Sequence, residues 1–150
     1  MSLAYKNILV AIDGSKEAEK AFKKALAIAK LNDAKLFITH VIDTRSYATV
    51  EAYDRTIAER AEEFANDLLE SHKKETIEAS HTNVELILEY GSPKVKIAKE
   101  IAPKHNIDLI VCGATGLNAV ERFFIGSVSE HITRYAKCNV LVVRSDKEEE

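Results

Sequence analysis

Three of the five glycines in this 150-residue chain fall within one stretch, CGATGLNAVERFFIGSVSEH, residues 112–131. Gly113 and Gly116 are spaced for a single tight turn, and Gly126 stands immediately before Ser127. Glycine in a loop between strand and helix permits positive φ, and it lets the backbone approach a ligand with no Cβ in the way. A helix opening at Ser127 has first-turn N–H groups without intrahelical acceptors, which carry partial positive charge. Such an end suits a phosphate, and the Ser127 and Ser129 hydroxyls can add hydrogen bonds. The same residues fit a purely structural account. SVSE, residues 127–130, has the form of a capping box, with Ser127 bonding the Glu130 N–H and Glu130 bonding back, and G-x-x-G can be only a turn. On the residues alone both accounts stand, since neither G-x-G-x-x-G nor G-x-x-x-x-G-K-[ST] is present.

Other chemistry-bearing residues are sparse. Asp13 is the one carboxylate expected in a crevice, with binding its expected task; Asp43 fits a loop cap better than a crevice role. His40 is expected as a satisfied core or rim residue. His131, in the first turn of the last helix, is within reach of a phosphate, and His72, His81 and His105 read as surface residues. No H-E-x-x-H or paired-cysteine spacing points to a metal. Arg122 reads as solvated, and Arg45, Tyr47 and Tyr53 as covering either a ligand or a dimer edge. No general base stands out.

The elements that would position these residues are legible. Strands are expected at Asn7–Ile12, Lys35–Val41, Val84–Glu89, Asp108–Cys112 and Asn139–Val143. The first and last are nearly continuous branched apolar runs, as in a parallel sheet covered on both faces; VELILE alternates more and suits an edge. Between them, Ala18, Ala21, Phe22, Ala25, Leu26 and Ala29 recur at helical spacing after a cap at Ser15. Ile57, Ala61, Phe64, Ala65 and Leu68 do so within a charged segment. GSPKVKIAKEIA places Ser92 as a cap and Pro93 at the first helical position, and the final helix sets Val128, Ile132, Tyr135 and Ala136 on one face. The β-α-β-α-β-α-β-α-β order gives an α/β fold, a doubly wound open parallel sheet with helices on both faces. Ligands of such sheets bind outside the carboxyl ends of the strands, where strand order reverses. Those ends deliver Asp13, Val41 and Gly113 to Gly116.

Composition sets outer bounds. At 46% hydrophobic and 30% charged, the chain has a globular balance, read as one domain over 1–144 with an acidic tail at 145–150. A net charge of −3 gives no reason to expect nucleic acid, and no apolar run approaches a membrane span. Cys112 and Cys138, at opposite ends of neighbouring strands, would lie roughly 15 Å apart, too far for a disulfide. Free thiols suit a reducing compartment, and the expected location is cytoplasmic.

Gly113-x2-Gly116-x9-Gly126-Ser127, then Val128, the closing NVLVVR and the opening ILVAIDGS together resemble the universal stress protein family in its ATP-binding branch. The resemblance implies a Rossmann-like five-stranded sheet of order 3-2-1-4-5 and a homodimer made partly through the last strand. It implies ATP at the switch point, with Mg or Mn held through the phosphates. By position, Ala11, Asp13 and Val41 would line the adenosine end. Gly113, Ala114, Thr115, Gly116, Leu117 and Asn118 would wrap ribose and phosphates, and Gly126, Ser127, Val128 and Ser129 would hold phosphates from the helix start. Position 11, often proline in that family, is alanine here, which softens the wall without removing a polar contact. A nucleotide-dependent stress-response module with at most slow hydrolysis is the implied function. An ATPase or adenylyl-transfer enzyme, and a nucleotide-free dimerising scaffold, are the alternatives.

Overall fold

The structure, a computed structural model, describes residues 4–44, 55–114 and 125–144. Five parallel strands form one sheet: β1 (Asn7–Ala11), β2 (Lys35–Asp43), β3 (Val84–Gly91), β4 (Leu109–Gly113) and β5 (Asn139–Val143). Their order is β3-β2-β1-β4-β5. Strand direction reverses its progress across the sheet between β1 and β4, which is where the crevice lies. Ile8, Leu9 and Val10 are wholly buried, because the central strand is covered on both sides. VELILE indeed lies at an edge, and so does β5, whose Val140 to Val143 are only half buried.

Helices α1 (Lys16–Asn32) and α2 (Arg55–Glu78) cover one face. There Ile8, Val10 and Ile38 pack against Phe22, Ala25 and Leu69. Helix α3 (residues 93–104) and α4 (Ser127–Tyr135) cover the other, where Leu9, Phe37 and Val41 meet Ile97, Ile101 and Ile132. Within α3 the turn Lys96–Ile101 is widened, the Ala102 N–H bonding the Ile97 carbonyl. Pro103 follows at once, a residue with no N–H to give and a ring that crowds the preceding turn.

Helix α2 shows a different inner face from the one its apolar residues suggest. Ala65, Leu69, His72 and Thr76 are buried, while Ile57 and Phe64 are exposed. The expectation of surface histidines fails at two positions for a shared reason: each ring finds polar partners inside. His72 bonds the Leu68 carbonyl and the Glu19 carboxylate and packs edge-on to Phe22. His81 donates from Nε2 to the Ala34 carbonyl. Tyr135, expected on the inner face of the last helix, is exposed beneath the Lys99 ammonium.

Candidate functional site

Two helices begin at the carboxyl end of the sheet, α1 after β1 on one face and α4 after β4 on the other, and their beginnings are built differently. Asp13 Oδ1 accepts from the Ser15 N–H at 2.9 Å, Gly14 turns at φ 87°, and Ser15 Oγ accepts from the Ala18 N–H at 3.1 Å. The start of α1 thus carries a side-chain cap. Helix α4 has Gly126 at its N-cap position, and no side chain caps it. The capping box does not form. Ser129, buried, donates its hydroxyl to the Gly113 carbonyl, and Glu130 turns outward to Arg134 at 3.2 Å. The N–H groups of Ser127, Val128 and Ser129 precede the first helical acceptor and have none within the helix.

Backbone contacts join the two halves of the glycine motif. The Ala114 N–H donates to Val143 O at 2.8 Å, and the Gly126 N–H donates to Ala114 O at 2.7 Å. Together with the Ser129 clamp, these bring Gly113, Ala114, Gly126, Ser127, Val128 and Ser129 to one place. Thr115, Gly116, Leu117 and Asn118 lie outside the described residues, as do Arg45, Tyr47, Tyr53 and Arg122.

The reason for each described glycine differs from its neighbour's. A Cβ at Gly113 would sit 3.0 Å from the backbone carbon of Glu17, so this glycine lets α1 lie against β4. It has no positive φ to supply. Gly126, at φ −64° and ψ 160°, holds a conformation any residue adopts. Backbone geometry gives no reason for glycine there.

Across the crevice, Ala11 and Val41 share the face that α3 and α4 cover, with Val41 buried and Ala11 partly so. Asp13 is half buried, one oxygen held by Ser15. His40 donates from Nδ1 to the Ile12 carbonyl at 2.8 Å, the rim role expected of it. Phe64, on the apolar stripe expected to face the core, is half exposed over this rim. Its ring lies 6.0 Å from that of His40, and its Cζ would be 3.3 Å from a Cβ at Gly14. No local pattern in the sequence marks it for that place.

Electrostatics on the α3–α4 side are basic. Burial pushes the His131 pKa down, and Lys99, Lys94 and Arg134 push it further, which favours the neutral imidazole. Burial raises the Cys112 thiol, partly offset by its hydrogen bond with Ser129. That keeps it protonated and unreactive. Burial likewise raises Cys138, and both cysteines are free. Among the described residues no group of three or more His, Cys, Asp or Glu is arranged to hold a metal. A groove of about 760 Å³ between α4 and β5 is lined by Ile125, Glu130, Thr133, Arg134, Val142 and Arg144.

The sequence model of the Universal stress protein family matches residues 4–144. The chain belongs to the universal stress protein family. A Staphylococcus haemolyticus protein described as a universal stress protein is 53% identical over 145 residues, covering 97% of this chain and 88% of that one. Universal stress protein UspA from Lactobacillus plantarum superposes with a TM-score of 0.85 at 35% identity, covering 95% of this chain and 100% of that one. A universal stress protein crystallised in complex with cAMP superposes at 0.72 with 26% identity, covering 95% and 99%. No described helix of this universal stress protein is long and apolar enough to cross a membrane.

Proposed function

We propose that this universal stress protein binds ATP in the crevice between β1 and β4 and serves as a nucleotide-dependent regulatory module of the stress response. One observation carries the reading: α4 starts uncapped at the switch point, with three first-turn N–H groups facing no acceptor in their own helix. Ser127 and Val128 hold the phosphates through those N–H groups, and Gly126 lets them come close. Ser129 sets the helix in place through Gly113 and contributes its backbone N–H. Ala11, Asp13 and Val41 line the adenosine end, with the free oxygen of Asp13 toward the ribose. Gly113, Ala114, Thr115, Gly116, Leu117 and Asn118 complete the wrap around ribose and phosphates.

The residues present fit that ligand. Glu130, the carboxylate nearest the helix start in sequence, is directed to Arg134 and does not oppose a phosphate. Magnesium or manganese enters with the phosphates. No residue here is assigned as a general base, so hydrolysis is slow or absent. A homodimer forms partly through the outer edge of β5, whose half-buried valines and unpaired backbone edge need cover. We read 1–144 as one domain with an acidic tail at 145–150, working in the cytoplasm without nucleic acid.

A cyclic mononucleotide is the second reading, favoured by the relative in complex with cAMP. Mass spectrometry of the small molecule released when the purified protein is denatured separates the two. Mg-ATP at 100 times its Kd should add about 2.7 kcal/mol of stability. No change of melting temperature in millimolar ATP would reject the nucleotide reading in favour of a scaffold.

A further inference from the structure

Ser92 holds the N-cap position of α3 and does not use it. Its backbone is extended, at φ −90° and ψ 115°, but its hydroxyl makes no capping bond. The N–H groups of Val95 and Lys96 bond the Ser92 carbonyl instead. Serine at this position ordinarily turns its oxygen onto the first-turn N–H groups. Here Oγ is sealed from solvent and has no hydrogen-bond partner. An orphaned buried hydroxyl is costly, and native proteins rarely leave one without a partner of some kind.

Its place in the fold suggests the missing partner. Gly91, at φ 133°, turns the chain out of β3 in a conformation that suits glycine alone. Gly91 stands in register with Asp43, and Glu89 with Val41. The first turn of α3 then packs on both β2 and α4. Ser92 therefore stands at the carboxyl end of the sheet, beside the end of β2, where α3 starts on the face that carries Ala11 and Val41. The facing helix holds a second sealed polar atom without a partner, Nε2 of His131. Two helices that pack together thus each carry a polar atom with no partner.

Resting on the nucleotide reading above, we infer that the Ser92 hydroxyl is a base-reading contact, hydrogen-bonded to the polar edge of the purine whose ribose lies by Asp13. A hydroxyl donates and accepts, so it contributes affinity for a purine edge without depending on the phosphates. In the ligand-free protein it has nothing to lose. This separates a ligand contact from a structural one, because removing an unpaired buried hydroxyl does not destabilise the fold.

The test is calorimetric titration of wild type and Ser92→Ala with Mg-ATP and Mg-ADP, beside the melting temperature of both proteins without ligand. We expect the variant to bind ATP about five- to tenfold more weakly, the worth of one hydrogen bond in a closed site. The same factor should hold for ADP, and the ligand-free melting temperature should be unchanged or higher. Unchanged ATP affinity overturns the inference while leaving the site at α4 intact. So does a lower ligand-free melting temperature, which would make Ser92 structural, or a factor that shrinks from ATP to ADP, which would place it with the phosphates. A wild type that binds neither nucleotide removes the site itself, and Ser92 with it.

Discussion

The starts of α1 and α4 lie at the same end of adjacent strands, yet one is finished and the other is open. At α1 the chain supplies Asp13 and Ser15, which accept the N–H groups of Ser15 and Ala18. At α4 it places a glycine where a cap belongs, commits the Ser129 hydroxyl to the Gly113 carbonyl, and turns Glu130 of the apparent capping box to Arg134. Serine at a helix start therefore does not settle what the helix start is for; where its oxygen points does. The proposed nucleotide site uses the start that no side chain caps.

The sharpest way to break this comparison is to close the open end. Gly126→Asp supplies the missing cap and sets a negative charge where phosphates are proposed. Titration should show ATP affinity reduced by about thirtyfold or more, given the like-charge repulsion, while ligand-free stability changes by only a few tenths of a kcal/mol. Binding retained in this variant would mean that α4 is not the phosphate site. Gly113→Ala tests the other kind of glycine. Its Cβ would meet the Glu17 backbone, so urea denaturation should show a loss of about 1–3 kcal/mol, typical of overpacking. Ser15→Ala should cost about 1 kcal/mol of stability with ATP affinity, referred to the folded protein, unchanged. Equal effects of Ser15→Ala on stability and on binding would erase the distinction between the two helix starts.

The smallest effect concerns His131. Burial and the surrounding cations hold its folded pKa below the ordinary histidine value. The unfolded chain therefore takes up the proton first as pH falls. The contribution is complete above the unfolded pKa and is lost as pH drops through the window down to the folded value. Denaturation midpoints measured between about pH 7.5 and pH 5 should fall less steeply in His131→Gln than in wild type. An identical slope would remove His131 from the account.

Much of this was legible in the sequence. Continuous branched runs such as ILVAI mark a strand covered on both faces, and the alternation of VELILE marks an edge, because side-chain period follows burial. The strand order came from resemblance alone, since nothing in local pattern decides which strands are neighbours. The candidate site was half legible. Spacing located Gly113, Gly126 and Ser129, but their separate tasks depend on contacts with Glu17 and on the turn of one hydroxyl, which no spacing encodes. His72 and His81 misled for a related reason. A histidine whose ring finds a carbonyl inside is as buried as an apolar residue, and those carbonyls belong to Leu68 and Ala34. Ser92 looked like an ordinary cap, and only its unpaired oxygen sets it apart.

The most direct test follows the backbone amides of the labelled protein by NMR as Mg-ATP is added. The amides of Ser127, Val128 and Ser129 should shift strongly and saturably, while that of Ala18, already held by Ser15, stays nearly still. Saturable binding that leaves the three α4 amides unmoved, or moves Ala18 as far as them, would contradict the claim that the open helix end holds the phosphates.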